Sequence, residues 1–206
     1  MPKKQIIFII IFIIATAPFS SRAQDASPTV DENLKTQDSD QDGLTDSDET
    51  NIYRTEPNKA DTDGDGYKDG EEIQNSYDPN KAGDDKIGKV IGVHLADQTL
   101  TYSLGPYAIK TIKISSGLPR TPTPKGDFSI IIKKPVVHYR GIDYNFPNTK
   151  WNLMFKYGSW GNFYIHGAYW HNNFGRPQSH GCVNVSYADM EGLYNWAEEG
   201  TRVIIE

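Results

Sequence analysis

Ser179-His180-Gly181-Cys182-Val183-Asn184 is the stretch on which the reading of this 206-residue chain turns. It holds the sole cysteine of the sequence, directly after a His-Gly pair, and a second such pair, His166-Gly167, lies 16 residues upstream. A lone thiol with histidines close in sequence is a candidate nucleophile, because an imidazole can take the thiol proton. Taken singly, a free cysteine is more often a buried structural thiol, and a lone histidine a satisfied core group. The rest of the chain supplies the context that separates these readings.

Working outward, the N-terminus reads as an address. Met1-Pro2-Lys3-Lys4 precedes an apolar run over residues 6–15, and Ser21-Arg22-Ala23 follows. A positive start, a short apolar run and an S-x-A site describe a secretory signal peptide over 1–23, cut after Ala23. The run is shorter than the roughly 20 residues that span a bilayer, so cleavage is expected over a retained anchor. The rest of the chain is then expected outside the cytoplasm, in the periplasm or cell wall of a bacterial envelope. With one cysteine the chain has no internal disulfide, and an unpaired thiol exposed to oxidation there calls for a reason. The overall charge of −6 speaks against nucleic acid as a partner.

That charge averages two different objects. Residues 24–86 carry 19 acidic and 6 basic side chains, whereas residues 87–206 carry 8 and 12. Residues 24–37 are polar and read as a flexible leader. Next come two copies of one pattern, 23 residues apart. Asp38, Asp40, Asp42, Gly43, Asp46 and Glu49 fill the first, and Asp61, Asp63, Asp65, Gly66, Asp69 and Glu72 the second. Both match the calcium-loop spacing D-x-D-x-D-G-x5-E over 38–49 and 61–72. Carboxylates at positions 1, 3 and 5 converge when the chain turns at the glycine. Position 7 offers a backbone carbonyl (Leu44, Tyr67), position 9 another carboxylate, and the glutamate at position 12 can bind through both oxygens. Ca²⁺, which takes six to eight hard oxygens, suits such a set better than Mg²⁺.

The connectors repeat as well, Pro57-Asn58-Lys59-Ala60 recurring as Pro79-Asn80-Lys81-Ala82. No amphipathic helix precedes Asp38, and only short helices are expected after Glu49 and Glu72. With its connectors, the region 38–86 resembles the thrombospondin type 3-like calcium repeats of bacterial surface proteins. The resemblance implies a compact spacer stiffened by structural Ca²⁺. The charge contrast also suggests that the ion-free acidic arm rests against the basic domain and its cleft.

From Ile87 the texture is that of a mainly β domain. Strands are expected over 89–95 and 99–104, joined by a hairpin at Ala96-Asp97-Gln98, and over 107–115, 128–132, 153–155, 162–165 and 201–205. Residues 117–126 read as a loop and 136–150 as irregular. One helix is expected over 187–199, with Ser186 and Asp189 as a capping box, Gly200 as a stop, and Met190, Leu193, Tyr194 and Ala197 as its buried stripe. Many short strands with one helix indicate a sandwich or barrel.

Here the motifs become specific. His166-Gly167 followed by Ser179-His180-Gly181-Cys182-Val183-Asn184, with Thr121-Pro122-Thr123-Pro124-Lys125-Gly126-Asp127-Phe128 upstream and Gly175-Arg176-Pro177 between, resembles the active-site signature of L,D-transpeptidases, the YkuD-like family. The resemblance spans residues 87–206. It implies an L,D-transpeptidase-like β-sandwich or barrel with Cys182 as nucleophile, His166 as its base and the Gly167 carbonyl orienting the imidazole. His180 is expected to shape the pocket. Backbone N–H groups of His180, Gly181 and Cys182 are candidate oxyanion donors, with Ser179 and Asn184 holding the loop. Family members carry Arg or Asn two residues after the cysteine; this chain carries Asn184, so a role of the Arg does not transfer.

Two rivals use the same residues. A zinc site from His166, His180 and Cys182 matches by ligand type, but it needs His171 to close it. A papain-like protease has its cysteine before its histidine, the reverse of the order here. Tyr157, Trp160, Tyr164, Tyr169 and Trp170 are candidate cleft walls, and Arg120, Lys125 and Arg176 candidate carboxylate contacts.

The expected function is therefore peptidoglycan L,D-transpeptidation through a thioester on Cys182, with stem peptides as substrate and no catalytic cofactor. By the same resemblance, carbapenems should acylate Cys182. The competing function is a calcium-dependent wall or surface binding module with little or no catalysis.

Overall fold

The computed structural model describes residues 36–159 and 161–206. The expected signal segment, residues 24–35 of the leader and Trp160 lie outside the described residues. Those described fall in one compact unit, Glu32–Glu206.

Nine strands form one sheet: β1 (Lys89–His94), β2 (Thr99–Leu104), β3 (Tyr107–Ser115), β4 (Gly126–Ser129), β5 (Ile132–Arg140), β6 (Asn145–Lys156), β7 (Phe163–Gly167), β8 (Val183–Val185) and β9 (Arg202–Ile205). Their order is β4-β9-β1-β2-β3-β8-β7-β6-β5. The two edge strands, β4 and β5, are consecutive in the chain and separated only by Ile130 and Ile131. So short a link cannot cross a flat nine-stranded sheet, so the sheet curls until its edges meet. Ile130 N–H donates to Thr201 on one side of the seam, and Ile131 N–H to Met154 on the other. The Phe128 and Phe155 rings close it with centroids 5.3 Å apart.

The core fills the inside of the curl. Ile91, Val93, Leu100, Ile114, Leu153, Ile165, Val183, Val185 and Val203 alternate inward along their strands and meet Met190 and Leu193 of the helix α3 (Tyr187–Trp196). Ser186 Oγ caps α3 by accepting from Asp189 N–H, and itself donates to the Asp189 carboxylate. The helix ends at Trp196, with Ala197 extended, because Lys133 Nζ takes the Tyr194 carbonyl and also bonds that of Ala197. Of the expected stripe, Met190, Leu193 and Ala197 are buried and Tyr194 only partly.

One stretch departs from expectation. Residues 136–150, read as irregular, form most of the β5–β6 hairpin. Pro135 fits there because β5 is an edge strand, where a missing N–H breaks no ladder, and Pro147 of β6 falls where the β5–β6 register shifts, between the partners of Val137 and Tyr139.

In the acidic region the short helices begin at position 9 of each loop rather than after position 12. They are α1 (Asp46–Asp48), which runs into a π-helical turn over Glu49–Tyr53, and α2 (Asp69–Asn75). Leu44, Tyr53, Ile52 and Ile73 pack with Ile87 and with Tyr107 at the start of β3. Asn80 Nδ2 donates to the Tyr53 carbonyl at 2.8 Å and to Tyr107 Oη at 3.1 Å, and Tyr107 Oη donates to Asp78. Among the described residues, the acidic arm therefore meets the β domain at the Tyr107 end of β3. Among the described residues, no helix is long and apolar enough to cross a membrane.

Candidate active site

The parallel pairing of β7 with β8 builds the site. Ile165 lies opposite Val183, His166 opposite Asn184, and Gly167 opposite Val185. Alternation along a strand then sorts the side chains. Ile165, Val183 and Val185 enter the core, whereas His166 and Asn184 share the other face, on which the residue two before Asn184 is Cys182. A pocket of 250 Å³ opens there, lined by Tyr139, Tyr144, Phe146, His166, Trp170, His171, Gln178, Ser179, His180, Cys182 and Asn184. A second hollow, lined by Arg140, Asn162 and Tyr164 among others, shares Tyr139, Tyr144, His180 and Cys182 with the first.

His166 is buried, and its Nδ1–H donates to the Gly167 carbonyl at 2.9 Å. That bond fixes the tautomer and leaves the Nε2 lone pair free. The Tyr139 ring stacks on the imidazole at 4.5 Å, and Tyr139 Oη donates to Asn152 on β6 at 2.9 Å. Burial pushes the His166 pKa down to about 4, outweighing the Gly167 carbonyl that favours the cation. Burial likewise pushes the Cys182 thiol up to about 11, although backbone N–H of Tyr164 favours the thiolate. The resting pair is thus a neutral thiol and a neutral imidazole. Cys182 keeps some exposure, as access from two hollows requires.

The loop before β8 is held by its own polar groups. Ser179 Oγ accepts from Gly181 N–H at 3.0 Å and donates to the Cys182 carbonyl at 2.5 Å. Gly181 N–H is thereby committed within the loop, and is no longer free as an oxyanion donor. Gly181 has φ +120°, and a Cβ there would lie 2.8 Å from the Phe163 ring, so the turn needs glycine. Ser179 and Gln178 N–H both donate to the Ser116 carbonyl, tying the loop to the end of β3. Gly167 is equally constrained: a Cβ would meet the Tyr187 ring at 2.5 Å.

His180 lies half-exposed at the rim, its ring 4.7 Å from Tyr144 and its Nε2 3.9 Å from Asp143. Of the expected aromatic wall, Trp170 lines the first pocket and Tyr164 the second. Tyr157 is exposed, and Tyr169 reaches the Pro147 carbonyl. Arg120 lines a separate hollow beside His180. Sequence reasoning missed Tyr139, Tyr144 and Phe146, all on the hairpin read as irregular, and gave His171 no role outside a zinc site. Among the described residues, the clusters able to hold a metal all lie in the acidic repeats; none includes Cys182 or a histidine.

In those repeats, oxygens of Asp38, Asp40 and Asp42 come within 4.8 Å of one another, as do those of Asp61, Asp63 and Asp65. Both oxygens of Asp40, one of Glu49, one of Asp63 and one of Glu72 are buried with no partner. Burial first, then the neighbouring aspartates, pushes Glu49 and Glu72 up to about 7. Orphaned buried carboxylates gathered around a point fit a divalent cation, which would offset both the burial and the repulsion. Position 9 is different. Asp46 accepts from Ser39 N–H and Oγ, each at 2.8 Å, and Asp69 accepts from Thr62 N–H at 2.8 Å and Oγ1 at 2.6 Å. These two carboxylates brace the loops through the residue at position 2.

Comparison with known proteins agrees with this geometry. The family model of the L,D-transpeptidase catalytic domain (YkuD) matches residues 88–205, and that of the bacterial TSP3 repeat matches residues 38–60 and 61–82. No curated protein matches the chain. Among solved structures, an L,D-transpeptidase from Mycobacterium tuberculosis H37Rv is 25% identical, with 59% of this chain and 58% of that one covered and a TM-score of 0.53. One from Mycobacterium smegmatis is 24% identical, with 59% of each chain covered and a TM-score of 0.53. The Ldtfm–avibactam carbamoyl enzyme is 26% identical, with 61% and 53% covered and a TM-score of 0.53. The chain spans less than two thirds of the length of these relatives. With the catalytic-domain match covering more than half its length, this chain belongs to the L,D-transpeptidase (YkuD) family, preceded by bacterial TSP3 repeats.

Proposed function

We propose that the protein is an exported cysteine L,D-transpeptidase that acts on peptidoglycan stem peptides through a thioester on Cys182. The observation that carries this is the shared pocket of Cys182 and His166, on neighbouring parallel strands and on the face turned away from the core. Cys182 Sγ attacks the carbonyl carbon of the L-centre at position 3 of a tetrapeptide stem, and His166 Nε2 takes the thiol proton. The His180 and Cys182 N–H groups receive the oxyanion, since Gly181 N–H is held by Ser179. Collapse breaks the bond to D-Ala, whose amine leaves with the proton from His166. An acceptor amine of a neighbouring stem then attacks the thioester, His166 takes its proton, and the thiol returns as the 3→3 cross-link forms. Water as acceptor gives carboxypeptidase activity, and a free D-amino acid gives exchange.

The repeats take structural Ca²⁺ in this reading. Asp38, Asp40, Asp42, Glu49 and the Leu44 carbonyl would hold one ion, and Asp61, Asp63, Asp65, Glu72 and the Tyr67 carbonyl the other. Bound Ca²⁺ supplies the positive charge that lets these carboxylates stay ionised together.

Intact-protein mass spectrometry with a carbapenem tests the reaction. One adduct on the wild type and none on Cys182→Ala is expected; avibactam, with which the 26%-identical relative forms a carbamoyl enzyme, is a second probe. An equal adduct on Cys182→Ala, or none on the wild type, sinks the mechanism. Digestion of peptidoglycan before and after incubation identifies the acceptor. Unchanged muropeptides would favour the calcium-dependent binding module instead.

A further inference from the structure

Asn184 and His171 form a pair within the pocket. The Asn184 carboxamide lies 3.1 Å from His171 Nε2, placed with Nδ2 toward the ring and Oδ1 away from it. On its other side, His171 Nδ1 lies 3.3 Å from the N–H of Asn173. A backbone N–H can only donate, so Nδ1 is the acceptor, and the proton of the neutral ring sits on Nε2. Burial lowers the His171 pKa, which favours that neutral ring. Nε2–H must then find an acceptor, and the carboxamide is the group within reach. The two ends of an amide have the same shape, so the network decides which faces the ring. Asn184 therefore turns its oxygen to His171.

The other end of the amide matters more. Asn184 is buried, and its end away from His171 has no hydrogen-bond partner. With the oxygen on His171, that unpaired end is the NH₂, a donor held in the pocket wall beside Cys182 and opposite His166 in the strand register. An unsatisfied buried donor costs free energy in the resting protein and regains it when an acceptor arrives. The loop that carries His171 is itself fixed. Ser115 Oγ donates to the Asn173 carbonyl and Gly175 N–H to the Ile114 carbonyl, so the imidazole is set against β3 rather than left to wander.

We propose that His171 is a positioning residue for acyl transfer: its Nε2–H holds the Asn184 carboxamide with the NH₂ end presented as a donor to a carbonyl or carboxylate of the bound stem. This rests on the transpeptidase reading above. His171 does not touch the reacting atoms, and its effect passes through Asn184.

The test uses the full chain, four variants and three readouts. A long-range ¹H–¹⁵N spectrum shows His171 as the Nε2–H tautomer in the wild type and also in Asn184→Ala, since the Asn173 N–H holds Nδ1 as the acceptor. His171→Ala slows carbapenem acylation of Cys182 by about tenfold, the worth of one hydrogen bond. Alkylation of the same thiol by iodoacetamide, which needs no oriented amide, stays within about twofold if the fold and the thiol are intact. His171→Gln, which keeps an N–H donor, recovers acylation to within about threefold of the wild type, and His171→Ala/Asn184→Ala is no slower than Asn184→Ala alone. An Nδ1–H tautomer, additive losses in the double variant, or equal losses of acylation and alkylation overturn the proposal. A wild type that is never acylated overturns the transpeptidase reading itself, whereas normal acylation of His171→Ala overturns only the role given to His171.

Discussion

Burial moves His166 and Cys182, the base and nucleophile proposed above, apart on the pH scale, His166 down to about 4 and Cys182 up to about 11. Between these values the pair carries one proton, on sulfur at rest and on nitrogen during attack. The reactive thiolate–imidazolium form has the same proton count as the resting form, so its population does not change with pH in that window. Carbapenem acylation should therefore vary less than about threefold from pH 5.5 to 8.5 and fall as His166 protonates towards pH 4. A stopped-flow rate that climbs tenfold per unit through neutrality would mean instead that free thiolate is the attacking species. A second residue-level expectation concerns Gly181. An alanine there takes a strained φ and presses on Phe163, so Gly181→Ala should cost about 1–3 kcal/mol in urea unfolding. It should also slow acylation, because Ser179 would lose its grip on the turn. That His166, Ser179, His180 and Cys182 line one pocket was legible in the sequence, because they belong to one compact motif. His171 was not, because it lies outside that motif and a single hydrogen bond to Asn184 leaves no pattern in sequence.

The β5–β6 hairpin shows where reading by periodicity stops. Strands β1, β2 and β3 bury alternate residues and were visible as alternation. β5 is an edge strand with no buried residue, so its sequence carries no period-2 signal, and Pro135 and Pro147 point away from a strand. Yet this hairpin supplies Tyr139, Tyr144 and Phe146, the last stacked on Trp170 at 3.8 Å, to one wall of the pocket. Tyr139 both stacks on His166 and lines each of the two hollows that reach Cys182. The ring, more than its hydroxyl, is the working part. Tyr139→Phe keeps the stack and loses only the bond to Asn152, and should change acylation by less than about threefold. Tyr139→Ala removes the stack and part of the lining of both hollows, and should lower kcat/KM by at least about tenfold. If the two variants are equally impaired, the hydroxyl is the part that matters.

At the scale of the whole molecule, β3 joins the two functions. Its first residue, Tyr107, packs against Tyr53 and bonds Asp78 and Asn80, while the chain just past its end holds the loop of Ser179. Nine residues of strand at about 3.3 Å each separate that contact from the loop of Ser179 by roughly 30 Å along β3. Calcium should then act through stability. At about 100 times its dissociation constant, each ion adds about 2.7 kcal/mol to the module that binds it. Whether that stabilisation reaches the catalytic domain depends on the Tyr107 contact, and the tryptophans allow a clean measurement. All four, Trp151, Trp160, Trp170 and Trp196, lie in the catalytic domain, so their fluorescence is blind to unfolding of the repeats alone. In urea, the wild-type tryptophan transition should move to higher denaturant with Ca²⁺ and to lower with a chelator. In Tyr107→Ala, which removes the ring between the modules, less than about a third of that shift should remain, while far-ultraviolet circular dichroism still reports calcium-stabilised repeats. A tryptophan transition that is the same with Ca²⁺ and with chelator would show that the repeats and the catalytic domain unfold independently, and that the contact at Tyr107 orients the spacer without stabilising the enzyme.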